Sequence, residues 1–237
     1  MKKLLFGMIL LLCTTNVSAQ FVRLGVRAGA GVSNLSTSED MKWRFAYKVG
    51  VDIYLDVFDS DFWMFVPGVY YSKKGFDWNG AYGPESIKEH VLRAKMGTYM
   101  DYIEVPLLVS YNIELFGDGN YRNLSLKFGP YVAYGISSKT QMAVPDYSKF
   151  KGTFKTNHFD ADCDYDGAVY FKSGTPVTLP KMKRFDAGLQ AGADLRFNNH
   201  CIIGADFQYG LLDVVSKSFL GKHPKNMQAM LSLSYEF

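Results

Sequence analysis

The sequence predicts an all-β fold: an eight-stranded antiparallel up-and-down transmembrane β-barrel with short periplasmic turns and long extracellular loops. Three observations carry this expectation. Apolar residues alternate with polar or small ones through eight segments, a period of two that belongs to strands and not to helices. Most of the segments run ten residues or more, whereas globular strands average about five or six and a tilted membrane-crossing strand needs about nine to eleven. The connections between them alternate short and long, which puts turns on one rim and loops on the other.

Residues 1–19 read as a signal peptide ahead of one barrel domain, residues 20–237. Lys2 and Lys3 make a basic start, Leu4 through Cys13 an apolar stretch too short to span, and Val17-Ser18-Ala19 a small-residue cleavage site before Gln20. A lipoprotein signal at Cys13 is disfavoured by the bulky Leu12 before it. The first strand then opens at Val22, with Val22, Leu24, Val26, Ala28, Ala30 and Val32 set against Arg23, Gly25, Arg27, Gly29 and Gly31. The second places Phe45, Tyr47, Val49, Val51, Ile53 and Leu55 opposite Lys48, Gly50, Asp52 and Asp56. A less regular third covers Phe62–Lys74, and a fourth covers Ile103–Leu115. The remaining four are Leu124–Ile136, Phe185–Phe197, Cys201–Leu211 and Gln228–Phe237.

Connections after the second, fourth and sixth strands are short: Phe58–Asp61, Phe116–Asn123 with its Gly117-Asp118-Gly119-Asn120 turn, and Asn198–His200. Those after the others are long: Ser33–Arg44, Gly75–Met100, Ser137–Arg184 and Leu212–Pro224. Structureless loops beyond about fifteen residues are uncommon in compact domains, so a soluble barrel must account for two of them. Both termini are expected on the periplasmic side of an outer membrane. Leu231, Leu233, Tyr235 and Phe237 alternate up to a terminal aromatic, which marks the barrel insertion machinery as an expected partner.

Composition closes off other classes. With 48% hydrophobic residues, 18 Phe and 16 Tyr the chain is not disordered. No apolar run near twenty residues provides a spanning helix. A formal charge of +3, falling to 24 basic against 23 acidic residues once 1–19 are removed, excludes nucleic acid as a partner.

Candidate functional residues lie in two places. The polar strand face carries Arg23, Arg27, Glu104, Asp194 and Arg196, read as a charge network in the lumen. Glu104 needs a partner there, and the arginines supply one; the alternative is a proton or ligand site. Eight strands leave room for side chains or one small ligand, so a diffusion pore is not expected. In the longest loop, Asp162, Asp164, Asp166 and Gly167 fall at positions 1, 3, 5 and 6 of a calcium loop. Position 12 is Ser173 where a bidentate Glu belongs, and no flanking helices are predicted. A solvated acidic loop is the other reading, and no cofactor besides this Ca²⁺ is expected.

Cys163 and Cys201 fall on opposite rims, separated by a hydrocarbon band about 25 Å tall, so no disulfide is expected between them. An enzyme is not predicted: His90, His158, His200 and His223 sit in loops without a paired metal motif or nucleophile elbow. The weak candidates are His158 with Ser148 and His90 with Ser86.

Phe65-Val66-Pro67-Gly68-Val69-Tyr70-Tyr71-Ser72-Lys73-Lys74-Gly75, Tyr102-Ile103-Glu104-Val105-Pro106-Leu107-Leu108 and Phe128-Gly129-Pro130-Tyr131 resemble the third, fourth and fifth strands of the PorT-like outer-membrane β-barrel family. The Glu104–Leu108 block is the most specific of them. The resemblance implies an eight-stranded outer-membrane barrel and, through the founding member's link to protein export, an envelope or secretion-complex protein as a partner. Three functions follow as expectations: a non-enzymatic barrel that binds or assists assembly through its external loops, an outer-membrane lipid-modifying enzyme, and a soluble exported ligand-binding barrel.

Overall fold

The computed structural model describes residues 22–36, 41–56, 62–82, 92–115, 123–143, 151–154, 157–164, 178–179, 181–197, 200–216 and 223–237. At 79–82, 92–94, 142–143, 151–154, 163–164 and 178–179 it describes the backbone alone. The 1–19 segment and the short turns after the second and fourth strands lie outside these residues.

Eight long strands form the barrel: β1 (Val22–Leu35), β2 (Arg44–Leu55), β3 (Trp63–Tyr82), β4 (Leu92–Glu114), β5 (Asn123–Ala143), β6 (Phe185–Phe197), β7 (Cys201–Gly210) and β8 (Asn226–Glu236). Each pairs antiparallel with its sequence neighbours, and β1 closes on β8, from Gly25 opposite Glu236 to Leu35 opposite Asn226. The sheet has no free edge around the circumference, which is how a β-structure satisfies its backbone in hydrocarbon. Four short pieces are added outside the barrel: Met41–Lys42 on β3, Lys151–Phe154 on β5, and Cys163–Asp164 paired with Thr178–Leu179.

Apolar residues face outward. Leu231 and Leu233 are 69% and 65% exposed, and Leu24, Phe45, Val49, Val69, Phe128, Ile203 and Phe207 share that outer face. Arg27, Lys48, Asp52, Glu104, Lys127, Asp186, Asp194 and Asp206 are buried inside. This polarity suits lipid outside and a packed polar lumen. It overturns the soluble ligand-binding reading, which needs the opposite arrangement.

Aromatic side chains bound the apolar band. Trp63 meets Tyr111 at 4.8 Å on the turn side, and Tyr47 meets Tyr71 at 6.2 Å toward the loop side. Trp63 and Tyr71 lie eight residues apart on β3. At about 3.3 Å per residue and about 40° of tilt they are separated by about 20 Å of height.

On one side of the barrel the strands run on past this band. The segments Gly75–Met100 and Ser137–Arg184 were expected to be loops, yet β3, β4 and β5 continue through much of them. Phe76 lies opposite Thr98, Trp78 opposite Met96, and Met100 opposite Ser138. Above the band the outer face is wetted, so the apolar residues turn inward: Phe76, Trp78, Met96 and Met100 are all buried. The alternation persists with its polarity inverted. In β5 the phase also slips, because the register with β4 shifts at Asp101/Tyr102. Inward residues pass from Tyr131 and Ala133 to Ser138 and Thr140 across this irregularity.

Candidate functional site

The lumen is filled by charges of both signs in three linked groups. Nearest the turns, Glu236 receives Arg23 at 2.8 Å and Arg196 at 2.6 Å, and Asp56 lies 3.7 Å from Arg23. At mid-height Arg27 donates through Nε to Asp52 at 2.7 Å and through Nη2 to Asp194 at 2.6 Å. Lys127 lies 2.8 Å from Asp194 and 3.4 Å from Asp206, and Tyr70 donates its hydroxyl hydrogen to Asp52. Gly204 makes this crossing possible, since a Cβ there would meet Arg27 Nη1 at 2.6 Å and Ser232 Oγ at 2.7 Å.

In the upper group Glu104 pairs with Lys74 Nζ at 2.9 Å and accepts from Gln208 Nε2 at 2.5 Å. The arginines expected as its partners belong to the two groups below, which corrects that pairing. Asp186 lies 3.7 Å from Lys74 and accepts from Asn226 at 2.9 Å. Gln190 ties the upper group to the middle one, donating to Asp206 at 3.1 Å and accepting from Gln208 at 2.8 Å. Lys74 closes the predicted third segment, so its spacing alone did not mark it as a lumen partner. Charges so interleaved neutralise one another locally and present no lane of one sign to a permeating ion.

Above the upper group the mouth is capped by loop residues. Phe159 meets Tyr102 edge to face at 5.8 Å and presses on the backbone of Gly135, where a Cβ would collide with its ring. Met182, Val214 and Val215 are buried beside it. The cap is sewn by backbone hydrogen bonds: Met182 N to His158 O at 2.8 Å, Lys183 N to Val214 O at 2.7 Å, and Gly135 N to Arg184 O at 2.6 Å. His158 is fully buried here, and among the described residues neither ring nitrogen has a hydrogen-bond partner. Burial pushes its pKa below the usual imidazole range. Arg184 is held firmly charged by donating to Asp160 at 2.5 Å. Nothing in the sequence period marked the cap; only the apolar residues scattered in the long loops hinted at it.

The acidic motif is only partly in view. Asp162 Oδ1 accepts the Lys181 amide at 2.6 Å, and Cys163–Asp164 is held in its short β-pair. Asp166 and Gly167 lie outside the described residues, as do Ser148, His90 and Ser86. Among the described residues no three ligating side chains converge on a point that would hold a metal. Cys201 is a free thiol on the outer face.

A closed barrel, apolar toward its surroundings and ion-paired within, bordered by aromatics, is an integral barrel of the outer-membrane class. The chain belongs to the outer membrane protein beta-barrel domain family, whose model matches residues 18–216. A search of curated proteins returns no match. Among solved structures it is similar to Ail, the attachment invasion locus protein of Yersinia pestis, in complex with the heparin analogue sucrose octasulfate. Identity there is 15%, over 92% of this chain and 99% of that one, with a TM-score of 0.39. Neisserial surface protein A aligns at 10% identity over 90% of this chain and 97% of its own, with a TM-score of 0.41. The translocator domain of the autotransporter NalP from Neisseria meningitidis aligns at 10% identity over 98% and 94%, with a TM-score of 0.35. Family and outward apolar face together make the protein an outer-membrane β-barrel protein surrounded by lipid.

Proposed function

We propose that this is a non-enzymatic, PorT-like barrel that holds its loop-bearing half outside the cell as an interaction surface, in a binding or envelope-assembly role. On this reading residues 1–19 are a signal peptide, both termini are periplasmic, and the barrel insertion machinery receives β8. No cofactor is required. The observation that carries the proposal is the extension of β3, β4 and β5 above the apolar band. A barrel that needed only to anchor would stop at the band, whereas these strands go on as a tall, paired sheet. The ion-paired lumen beneath it supports an anchor in preference to a conduit. The partner expected is an envelope or secretion-complex protein.

The test is a pull-down of the intact barrel in mild detergent, comparing the natural chain with one in which residues 79–95 are replaced by an Asn-Gly turn. Both should fold, seen as heat-modifiable migration on gels. Only the natural chain should bring a stoichiometric envelope protein with it. Equal recovery with both chains sinks the proposal, as does a changed lipid profile in a deletion strain, which would point to the lipid-modifying enzyme.

A further inference from the structure

At the upper rim, beside β5, a crevice of about 510 Å³ lies between the cap and the start of β6. Among the described residues its walls bring together Lys181, Lys183 and Arg184 against the carboxylate of Asp160, with Asp162 outside the lining and accepting the Lys181 amide at 2.6 Å. Arg184 already uses one nitrogen on Asp160 and another on the Gly135 carbonyl at 2.8 Å. Lys181 and Lys183 are exposed, and neither ammonium has an ion-pair partner among the described residues. The backbone holds both lysines in place. Lys181 O accepts from Ser216 N at 2.9 Å, Lys183 N donates to Val214 O at 2.7 Å, and Met182 between them is buried inward. The alternation that buries Met182 turns both lysines outward. The crevice thus carries an excess of positive charge on a fixed backbone.

Its floor is apolar and continuous with the lipid-facing surface. Phe185 and Leu212 line it, and Phe185 is 52% exposed at the head of β6. Its neighbour across the ladder is Tyr134, 53% exposed on the same outer face, with the Arg184 guanidinium 5.9 Å from its ring. Aromatic rings at the end of an apolar band mark the level of the headgroups. A ligand matching both features is amphipathic, anionic at one end and apolar at the other. Arginine and lysine together suit a phosphate, which takes oriented guanidinium bonds and point-charge ammonium contacts.

We propose that this crevice is a binding site for the phosphate-bearing headgroup of an outer-leaflet lipid. Lys181, Lys183 and Arg184 receive the phosphate, and Phe185 and Leu212 receive the first part of the acyl chain. The site rests on the orientation that puts the long loops outside the cell, and it is independent of the protein partner argued above. Orientation is read separately, by labelling Lys183→Cys in a C163S/C201S background on intact cells with a membrane-impermeant maleimide.

The experiment titrates the full barrel, refolded in zwitterionic micelles, with three probes: bisphosphorylated lipid A, the same lipid dephosphorylated, and glucose 1-phosphate. The first should bind at least about tenfold more tightly than either of the others. The double variant K181Q/K183Q, with folding checked by heat-modifiable migration, should bind the phosphorylated lipid about thirtyfold more weakly, as the loss of two interfacial cations predicts. Equal binding of the dephosphorylated lipid would reduce the crevice to a patch of apolar wall and overturn the proposal. So would glucose 1-phosphate binding as tightly as the lipid, which would make the ligand a free anion, or an unchanged affinity in the double variant.

Discussion

The same strands run through two storeys of this molecule and obey opposite rules in each. Up to about Lys74 on β3, buried charges point inward around one small apolar cluster of Met64, Val66, Leu108 and Ile202 while the outer face is apolar; above it, Phe76, Trp78, Met96 and Met100 point inward and Lys95 and Lys139 outward. The backbone does not change, and β3 and β4 keep the same inward parity from bottom to top. What changes is the solvent at the outer face. In lipid the apolar surface is best left outside and the lumen must neutralise its own charges. In water the ordinary hydrophobic effect returns and the interior becomes apolar again. The two interiors should therefore fail differently when perturbed.

The lower storey should be the costlier to break. Arg27 serves Asp52 and Asp194 together, and all three are buried. Arg27→Ala strips Asp52 of its cation and leaves Asp194 with Lys127 alone, an error worth about 3–5 kcal/mol. Denaturant midpoints of the refolded barrel in detergent, followed by the heat-modifiable gel band, measure it. A loss below about 1 kcal/mol would mean that water solvates these carboxylates. The lumen would then be wet instead of packed.

In the upper storey the vulnerable point is overpacking. Gly135 gives its missing Cβ to the ring of Phe159, which reaches down onto Tyr102. Gly135→Ala should push Phe159 out and weaken the cap by about 1–3 kcal/mol. The ion-paired lumen below should keep its stability. Limited proteolysis of the loops should quicken while the denaturant midpoint of the barrel stays in place. If both move together, the two storeys are one cooperative unit and the distinction between them is false.

This inversion explains what the sequence disclosed. Across most of the lipid band alternation and polarity agree, with the inward Met64 and Val66 of β3 the main departure, so the strands and the lumen face of Arg23, Arg27, Glu104, Asp194 and Arg196 could be placed from the period. Above the band, polarity inverts at Phe76 and the phase slips beside Ile136, so strands that continue read as loops. The pairing of Glu104 with Lys74 was hidden for a related reason. Period two says which face a residue occupies, but the partner on that face depends on the stagger between strands, which only the register fixes. The basic crevice and the cap are built from segments far apart in sequence, 157–160, 181–185 and 212–216. No local pattern encodes such a meeting.

The finest difference between the storeys is in how each treats a titratable group. Charges in the lower storey are paired, whereas His158 in the cap is buried with no hydrogen bond to either ring nitrogen among the described residues. Asp160 on its own turn is bound to Arg184, and Lys181 and Lys183 on the facing segment and Asp213 beyond them add no charge effect; burial alone lowers its pKa. The folded cap thus keeps the ring neutral while the opened cap protonates it near the ordinary value of about 6.5. Above that pH neither state takes up a proton and the cap is at full strength. As pH falls through about 6.5 the opened state binds the proton and the folded one does not, so opening becomes easier. The change stops once pH passes below the depressed folded value. Amide exchange at Phe159 and Met182, corrected for intrinsic rates, should quicken between pH 7.5 and 5.5 by no more than about tenfold per unit. His158→Leu should abolish that dependence while leaving exchange in the barrel strands unchanged. A profile that stays flat in the natural chain would mean that the ring is solvated, and that the cap lies open more of the time than its packing implies.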